Sequence, residues 1–379
     1  MSRSAARLDG LGTTIFTEMT ALAVRTGAIN LGQGFPDSDG PPAAIEAAVA
    51  ALRGGHNQYA PLPGVPSLRE AVRDHQRRHY GLEPEDLLIT FGATEAIASA
   101  LLGLCNPGDE VVVIEPRYDS YGACIAFAGA ERRVVTLRPP DFRLDADALR
   151  QAIVGGRGRA RALLVNTPHN PTGRVLDLTE LELIASACIE HNLICISDEV
   201  YEHLVFEGKH VPPATLPGMA ERTLTISSVG KSFSFTGWKI GWCSGPAELV
   251  AATRTVKQFL TFAGGTPLQH AAAAALGLED DVLLALRNEL RARRDELCAG
   301  LSAAGLAPLR PAGTYFVCAD AGVDAVQFCR SLPERCGVVA IPVSVFCDDV
   351  EPVATLVRFA FCKRPEVIAD AVARLARLG

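Results

Sequence analysis

The sequence predicts an α/β protein in which a large domain holds a mainly parallel sheet flanked by helices, and a smaller α/β domain accompanies it. Short, nearly continuous apolar runs alternate with helical patterns through the middle of the chain, as expected for strands buried on both faces. With 379 residues, 48% of them hydrophobic, the chain is long enough for two sizeable cores. A long helical pattern after residue 280, followed by two more strands and a last helix, indicates the second domain.

In the predicted large domain, residues 43–272, short apolar strands are separated by amphipathic helices. The predicted strands are residues 87–90, 111–115, 134–137, 162–166, 194–197 and 224–227. The predicted helices are residues 95–105, 120–128, 146–154 and 179–191.

The predicted small domain combines residues 1–42 with residues 273–379. Its longest element is a helix at 282–301, with arginines opposite an apolar side made of Leu283, Leu286, Leu290, Leu297 and Leu301. Strands at 315–319 and 357–361 and a helix at 367–378 complete it. A loop around residues 32–36, with two glycines and a proline, is expected to connect it to the large domain.

Polar clusters follow several of the predicted strands. They lie at residues 92–94, 166–171 and 198–201, and a run with two lysines follows the strand at 224–227. Because ligands in open α/β sheets bind at the carboxyl ends of strands, these clusters are expected to meet in one cleft.

Composition argues against several classes of function. The net charge of −7 gives no general affinity for nucleic acid or an anionic membrane. The first nine residues lack the apolar core of a signal peptide, and no apolar run approaches the length of a membrane span. The eleven cysteines include no Cys-x-x-Cys pair, so free thiols in a reducing cytoplasm are expected. The eight histidines show no recognisable ligand spacing, so no metal site is predicted.

The run at residues 227–242 places Lys231 among serines and glycines, with Lys239 eight positions on. A lysine in such a setting is suited to form an imine with an aldehyde while its neighbours hold a phosphate, as pyridoxal phosphate (PLP) chemistry requires. The Gly-Lys-Ser within the run also suggests a nucleotide-binding P-loop, but Thr225 stands where that motif needs its first glycine. A surface lysine in a Ser-rich turn is the alternative that the run alone leaves open.

Asp198 and Tyr201 follow the predicted strand at 194–197. A carboxylate at the end of a buried strand needs a cationic partner, and a protonated pyridine nitrogen is one; a helix cap or a structural salt bridge is the other interpretation. Tyr201 is placed to reach the phenolic oxygen of the same ring, or it is a core tyrosine with a satisfied hydroxyl.

Asn170 and Thr94 each allow two interpretations as well. Asn170 lies between prolines and is either a donor to the same ring oxygen or an ordinary turn residue. Thr94 follows a Gly-containing turn at a helix start, where backbone amides bind anions, or it is an ordinary N-cap.

Arg358 interrupts the apolar strand predicted at 357–361. Its planar fork fits a substrate carboxylate in a bidentate manner, and an internal salt bridge is the alternative. Each of these features is weak alone. The order of phosphate turn, Asn, Asp, Tyr, Lys and a late Arg is much more specific.

That order resembles the class I aminotransferases of PLP fold type I over nearly the whole chain. The most specific segments are residues 30–37, 57–59, 166–173, 197–201, 227–242, 340–344 and 357–363. Within the family the chain is similar to the branch of kynurenine/glutamine, methionine and N-succinyldiaminopimelate aminotransferases. Residues 39–42, 92–97 and 361–364 look closest to the last of these.

The resemblance implies a role for each matching residue. Lys231 would form the Schiff base with the cofactor, Asp198 would pair with its ring nitrogen, Tyr201 and Asn170 would contact its ring oxygen, and Tyr118 would stack on the ring. The phosphate would be held by Ala93, Thr94, Ser228 and Lys239, and by Tyr59 of a neighbouring subunit, which implies a homodimer with shared active sites. Gly34, Asn170 and Arg358 would bind the substrate α-carboxylate.

The chain departs from the kynurenine/glutamine pattern at four places. Phe16 replaces a pocket tryptophan, Thr94 replaces a tyrosine, and Gly264 with Gly265 replaces a bulky aromatic-histidine pair that reaches into the partner's site. These changes predict a wider pocket that suits a long acyl-amino acid. Arg117 stands at a usually aromatic position, where it either pairs with a distal substrate carboxylate or is solvated at the rim.

The expected activity is transfer of an amino group between an L-amino acid and a 2-oxo acid, with glutamate and 2-oxoglutarate as one pair. An N-succinyl-LL-diaminopimelate type is favoured, a kynurenine, methionine or aromatic type is the alternative, and a PLP-dependent C–S β-lyase shares nearly all the residues. Aminotransferase-like transcription regulators carry a DNA-binding segment first. The roughly forty residues before the first expected helix of the large domain are too few for one.

Overall fold

The strands of the protein form three separate sheets within residues 5–12 and 15–378, the part of the chain that the computed structural model describes. In chain order they are β1 Ile29–Asn30, β2 Asp86–Thr90, β3 Glu110–Glu115, β4 Glu131–Thr136, β5 Ala160–Asn166, β6 Ile194–Asp198, β7 Thr223–Ser228, β8 Gly241–Gly245, β9 Ala307–Leu309, β10 Phe316–Asp320, β11 Val338–Val339, β12 Ile341–Pro342 and β13 Leu356–Ala360.

The largest sheet has seven strands in the order β2-β8-β7-β6-β5-β3-β4. Strands β4, β3, β5, β6 and β7 pair in parallel, whereas β8 is antiparallel to both of its neighbours, β7 and β2. The central strands β3, β6 and β7 are buried along their whole length. Their carboxyl ends therefore lie at one edge of the sheet and present the residues that follow them to a common cleft.

Helices cover this sheet and continue into the second part of the fold. They are α1 Ile15–Thr26, α2 Pro42–Arg53, α3 Pro66–Tyr80, α4 Gly92–Leu104, α5 Asp119–Phe127, α6 Ala146–Val154, α7 Leu178–Glu190, α8 Val229–Ser232, α9 Ala247–Leu260, α10 Thr266–Leu276, α11 Asp280–Ala303, α12 Ala325–Cys336 and α13 Pro365–Leu375.

Local sequence fixes several of these helix ends. A capping box begins α7: the Asp177 carboxylate accepts from the Glu180 backbone N–H at 3.0 Å, and the Glu180 carboxylate accepts from the Asp177 N–H at 3.1 Å. Helix α3 begins at Pro66 and ends at Gly81, whose φ of 67° is left-handed. These signals hold α3 and α7 in place beside the strands that carry the site.

A four-stranded sheet in the order β12-β13-β10-β9 lies in the second part of the fold, and β1 pairs in parallel with β11. Strand β13 lies inside this sheet between β12 and β10, and all five of its residues are buried. The backbone of Arg358 therefore lies in the interior of the protein, where it is paired with Cys318 on β10 and Ile341 on β12.

Six predicted strands of the large sheet are confirmed within a few residues, and the predicted class of fold is confirmed. Strands β1, β8, β9, β11 and β12 and helices α1, α3, α8, α9, α10 and α12 were not predicted, whereas α2 begins where the first helix of the large domain was expected. The division into domains at residues 43 and 273 stays a prediction, and residues 1–4, 13, 14 and 379 of its small domain lie outside the described residues.

The prediction for α11 was partly wrong. Leu283, Leu297 and Leu301 are buried as expected, but so is Arg294, which was assigned to the outer face. Its guanidinium bonds Glu207 at 2.9 Å and Asp295 at 2.8 Å and donates to the Pro311 carbonyl. Because these partners satisfy its charge and hydrogen bonds, the arginine is accommodated inside the fold.

All eleven cysteines carry free thiols, as expected, and ten of them are buried as small core residues. Among the helices of the described ranges, none combines the length and the apolar character needed to cross a bilayer.

Candidate active site

A cavity of about 310 Å³ lies where the carboxyl ends of the large sheet face the four-stranded sheet. Most of the residues predicted for the site line this one cavity. They are Phe16, Gly34, Ala93, Thr94, Tyr118, Asn170, Asp198, Tyr201, Ser228, Lys231, Lys239 and Arg358.

Asp198 is the last residue of β6 and is only 4% exposed. Its carboxylate accepts hydrogen bonds from the Tyr121 hydroxyl at 2.6 Å and the Val200 backbone N–H at 3.3 Å. Burial raises the pKa of Asp198 to about 6, although both hydrogen bonds favour the ionised form. No lysine or arginine of the described residues lies at ion-pair distance from it. The site therefore holds a buried carboxylate that is ionised at neutral pH and has room for a cationic partner.

Lys231 lies in the short helix α8, directly after β7. The Ser228 hydroxyl accepts from the Gly230 backbone N–H at 3.3 Å and caps this helix. The Lys231 ammonium lies 3.4 Å from the Gly34 carbonyl and about 6 Å from the ring centres of Tyr201 and Tyr315. Burial lowers the pKa of Lys231 to about 8, so a substantial fraction is a neutral amine near physiological pH.

The N-terminus of α4 forms the anion-binding end of the cavity. Gly92 begins the helix with a φ of 73°, and Ala93 and Thr94 follow in its first turn. A methyl group at Gly92 would lie 3.4 Å from the Lys239 ammonium, which shows how close that cation is to the helix N-terminus. Exposed backbone N–H groups, the helix dipole and a lysine together favour a phosphate here.

Arg358 forms the opposite pole and is 1% exposed. Its guanidinium donates to the Asn170 side-chain oxygen at 3.0 Å and to the Gly32 carbonyl at 2.9 Å. The Phe316 ring centre lies 4.0 Å from the guanidinium carbon. Within the described residues, its Nε has no hydrogen-bond partner and no carboxylate lies at ion-pair distance. A buried cation without an anion is suited to bind the carboxylate of a ligand.

Gly34 completes this pole because only a residue without a side chain fits there. A Cβ at this position would lie 2.4 Å from the Phe316 ring. The Tyr315 hydroxyl donates to the Gly34 carbonyl at 2.6 Å and fixes the segment. The Phe16 ring lies 5.3 Å from the Arg358 guanidinium carbon, so it covers the same cation.

Two predicted site residues lie outside this cavity. Tyr59 is 79% exposed and packs edge-on against Phe262 with ring centres 5.5 Å apart. Arg117 is not solvated at the rim, so that expectation was wrong: its side chain is mostly buried and bonds Glu115 at 2.8 Å and Asp348 at 2.7 Å. Its pairing with a distal substrate carboxylate stays a prediction.

Gly264 and Gly265, whose effect was expected on the partner's site, do not line the chain's own cavity. A Cβ on Gly264 would lie 2.1 Å from the Phe91 ring, so that ring fills the adjacent space. An effect on the cavity of a neighbouring subunit stays a prediction.

Two contributors to the site were missed in the sequence. Tyr121, in α5, supplies the hydroxyl that bonds Asp198. Asn166 ends β5; its side-chain N–H₂ donates to the Asp198 carbonyl at 2.8 Å, and its oxygen accepts from the Asn170 N–H at 2.8 Å. The position of Asn166 at the end of a strand could have indicated its role in the site. In the sequence, Tyr121 looks like any core tyrosine of a helix.

The statement that the histidines lack ligand spacing was wrong. His75 and His79 are one turn apart on α3, and the fold brings His203 to them, so that one ring nitrogen of each lies within 4.8 Å of the others. This cluster lies outside the cavity.

The large sheet is mainly parallel, and the cavity at its edge holds a lysine amine, a buried carboxylate, a phosphate-type end and an unpaired arginine. Together these features define an enzyme of amino-group chemistry. The chain belongs to the family "Aminotransferase class I and II", whose model matches residues 26–375. It is an aminotransferase of PLP fold type I architecture.

Several proteins that are similar to this chain are named as aminotransferases or transaminases. A probable N-succinyldiaminopimelate aminotransferase of Mycobacterium tuberculosis is 54% identical over 390 residues, covering 98% of each chain. The solved structure of that enzyme has a TM-score of 0.96 and covers 99% of this chain and 100% of its own. The methionine aminotransferase of Escherichia coli is 41% identical over 98% of this chain and 97% of its own, and its structure has a TM-score of 0.94. Kynurenine–oxoglutarate transaminase 3 of Rattus norvegicus is 38% identical over 99% of this chain and 90% of its own.

Proposed function

We propose that the chain binds PLP in this cavity and uses it to move an amino group from N-succinyl-LL-diaminopimelate to 2-oxoglutarate. The observation that carries the proposal is one cavity with two uncompensated buried charges. Asp198 has no cation and Arg358 has no anion among the described residues. A cofactor with a cationic ring nitrogen and a substrate with a carboxylate satisfy both.

The residues present fit the cofactor. Ala93, Thr94, Ser228 and Lys239 would hold its phosphate at the start of α4. Asp198 would bind the protonated ring nitrogen, Asn170 and Tyr201 the ring oxygen, and Tyr118 the face of the ring. When bound, PLP supplies an aldehyde that takes up the substrate amine and a pyridinium ring that withdraws electron density from the substrate α-carbon.

Lys231 is the general base of the proposal. Its pKa of about 8 leaves the amine partly neutral at the working pH, as proton abstraction requires. Nζ would take the proton from the substrate α-carbon and, as an ammonium, would return a proton later in the same half-reaction. Burial excludes water, which reduces loss of the proton to solvent.

Arg358 orients the substrate. With Asn170 and the small Gly34, its fork would grip the α-carboxylate at two points. A carboxylate held in this way fixes the rotation about the α-carbon, so that the breaking C–H bond stands perpendicular to the cofactor ring.

The substrate assignment rests on 54% identity over nearly the full length of a relative that carries this name. A second candidate is a substrate with one carboxylate, of the methionine or aromatic type. Around the carboxylate pole, Phe16, Phe35 and Phe316 give the cavity an apolar lining, and Arg117 bonds Glu115 and Asp348. Apolar side chains suit such walls better than a distal anion does.

We also propose a homodimer with shared sites. Tyr59, Phe259 and Phe262 are large aromatic side chains that lie exposed in this chain, and Tyr59 contacts Phe262. Exposed apolar clusters of this kind are typical of protein interfaces. In the dimer, Tyr59 would reach the cofactor phosphate in the partner's cavity. The free thiols support a reducing compartment, the cytoplasm.

A half-reaction screen tests the proposal. Single amino acids, including N-succinyl-LL-diaminopimelate, methionine and kynurenine, are added to the PLP-loaded enzyme, and the conversion of its cofactor absorbance to the pyridoxamine phosphate form is followed. Lys231→Ala is expected to abolish turnover. Release of pyruvate and ammonia from a cysteine conjugate, without amino transfer to 2-oxoglutarate, would identify a β-lyase instead. Full activity of Lys231→Ala would refute the assignment of the base.

A further inference from the structure

Three histidines from two separate segments meet in a cluster outside the cavity. His75 and His79 lie one turn apart on α3, and His203 lies in the segment that follows β6. The Nε2 atoms of His75 and His203 are 2.6 Å apart, and the three ring centres lie 4.7 to 4.9 Å from one another.

The polar atoms of this cluster are poorly satisfied by the protein itself. His75 is 1% exposed, and its Nδ1 is buried without a hydrogen-bond partner in the described part of the chain. The Nε2 of His79 is likewise buried without such a partner. Burial of unpaired ring nitrogens is costly, so that a cluster of them calls for something that binds them.

A neutral imidazole ring has a lone pair on one nitrogen, which is the atom that a metal binds. Two histidines one helical turn apart are a common pair of ligands for a transition metal, and a third gives the three-histidine set of a zinc site that keeps its fourth position for water.

We propose that His75, His79 and His203 bind a zinc ion, with water as its fourth ligand. Tetrahedral bonds of about 2.0–2.1 Å require nitrogens about 3.3 Å apart, so the two close Nε2 atoms need to separate by less than 1 Å. His79 is 15% exposed at its side chain, which gives solvent access to the fourth position. Asp280, whose Oδ1 lies 3.7 Å from the His79 Nε2, supplies a negative charge beside the ion.

The zinc ion would stabilise the fold and would take no part in the amino-transfer reaction. None of the three histidines lines the cavity. The ion would tie α3 to the segment after Asp198, in which Tyr201 lies two residues before His203. Glu202, between them, accepts from the Ser227 hydroxyl and so connects the segment to β7. Bound zinc therefore stabilises the strand ends that carry the active site.

Metal content tests this directly and without reference to activity. The purified full-length chain is treated with a chelator, loaded with Zn²⁺, desalted and measured by mass spectrometry for zinc per chain. We expect one zinc per chain and a thermal midpoint that rises with Zn²⁺. His79→Gln, which removes the most exposed ligand, is expected to weaken binding about tenfold or more. His191→Gln, a histidine at the end of α7 that contacts Glu190, is the matched control and is expected to keep both properties.

His203→Gln serves as a second variant, with far-UV circular dichroism as the check on folding of both. Cobalt(II) in place of zinc gives visible bands whose intensity reports four-coordinate binding in the wild type and their loss in the variants. Absence of a stoichiometric ion in the wild-type chain would refute the site. Retention of zinc by both folded ligand variants would assign the ion elsewhere and equally refute it.

Discussion

Asp198→Asn is expected to make the cofactor-free protein more stable while it removes activity. The substitution keeps the shape of the side chain and an oxygen that accepts from Tyr121, but it removes the buried negative charge. In the proposed function, that charge is needed only to bind the cofactor's ring nitrogen. Function and stability therefore favour different residues at this position.

The size of the effect follows from the pKa of Asp198. Burial raises it from 3.8 to about 6, and each factor of ten in the acid constant is worth about 1.4 kcal/mol. Ionised Asp198 thus destabilises the cofactor-free fold by about 3 kcal/mol relative to its protonated form. The asparagine amide has buried N–H groups to satisfy, which costs about 1 kcal/mol. The expected net gain in the free energy of unfolding is about 2 kcal/mol at pH 7.5.

The difference in the free energy of unfolding between the wild type and the variant depends on pH. Because the folded pKa is raised, the cost of the charge is fully present above about pH 6 and disappears as the pH falls towards 3.8. Urea unfolding of the cofactor-stripped wild type and variant at pH 7.5 and 4.5 measures this difference. The gain should be about 2 kcal/mol at the higher pH and near zero or negative at the lower. A variant that is no more stable at pH 7.5, or equally stabilised at both pH values, would refute the reasoning. Turnover of the PLP-loaded variant should fall about a hundredfold or more.

Three other substitutions have expected outcomes. Tyr121→Phe removes a charge-assisted hydrogen bond of 2.6 Å that is worth about 1.5–3 kcal/mol. The pKa of Asp198 should therefore rise by about one pH unit or more, and the acidic limb of the activity profile should move to higher pH. Arg358→Lys replaces a planar fork by a point charge and should lower kcat/KM for carboxylate substrates about a hundredfold. Gly34→Ala puts a methyl group 2.4 Å from the Phe316 ring and should destabilise the protein by about 1–3 kcal/mol in urea unfolding.

Matched controls separate these effects from general damage. Tyr80→Phe removes the hydroxyl of a half-buried tyrosine that bonds the Glu202 carboxylate outside the cavity, and it should leave the pH profile in place. Arg330→Lys changes an exposed arginine and should leave kcat/KM unchanged. Gly277→Ala adds a methyl group with only ordinary contacts at 3.5 Å and should cost little. A pH profile that Tyr121→Phe leaves unmoved, or an Arg358→Lys enzyme with normal kcat/KM, would contradict the roles given to those residues.

The sequence predicted the large sheet well where a strand is a continuous apolar run. Strands β3, β5, β6 and β7 were located within a few residues because burial on both faces demands such runs. Strand β8 was missed because it begins and ends with glycine and overlaps the run that carries Lys231 and Lys239. Helix α10 is rich in alanine, so its apolar residues define no single face.

Long-range ion pairs could not be predicted. Arg117 bonds Asp348, 231 residues away, and buried Arg294 bonds Glu207, 87 residues away. A local pattern shows only that an arginine is present, and the usual expectation for an arginine is exposure. The burial of both follows from partners that only the folded chain supplies.

The candidate site was predicted to a large extent because its residues follow strands. Asn170, Asp198 and Lys231 all stand at the carboxyl edge of the sheet, where topology alone brings them together. Tyr121 is different. It reaches Asp198 from the interior of a helix, 77 residues earlier, and nothing in its surroundings in the sequence distinguishes it from a core residue.

The guanidinium of Arg358 bonds Asn170 and the carbonyl of Gly32, which lie 188 and 326 residues earlier in the chain. During synthesis, a polypeptide that has emerged as far as residue 340 already carries the strand ends with Asp198 and Lys231, yet it lacks Arg358. In the proposed function, the group that would recognise the substrate carboxylate is thus the last part of the site to be synthesised, and a chain truncated before β13 would carry the lysine and the aspartate without it.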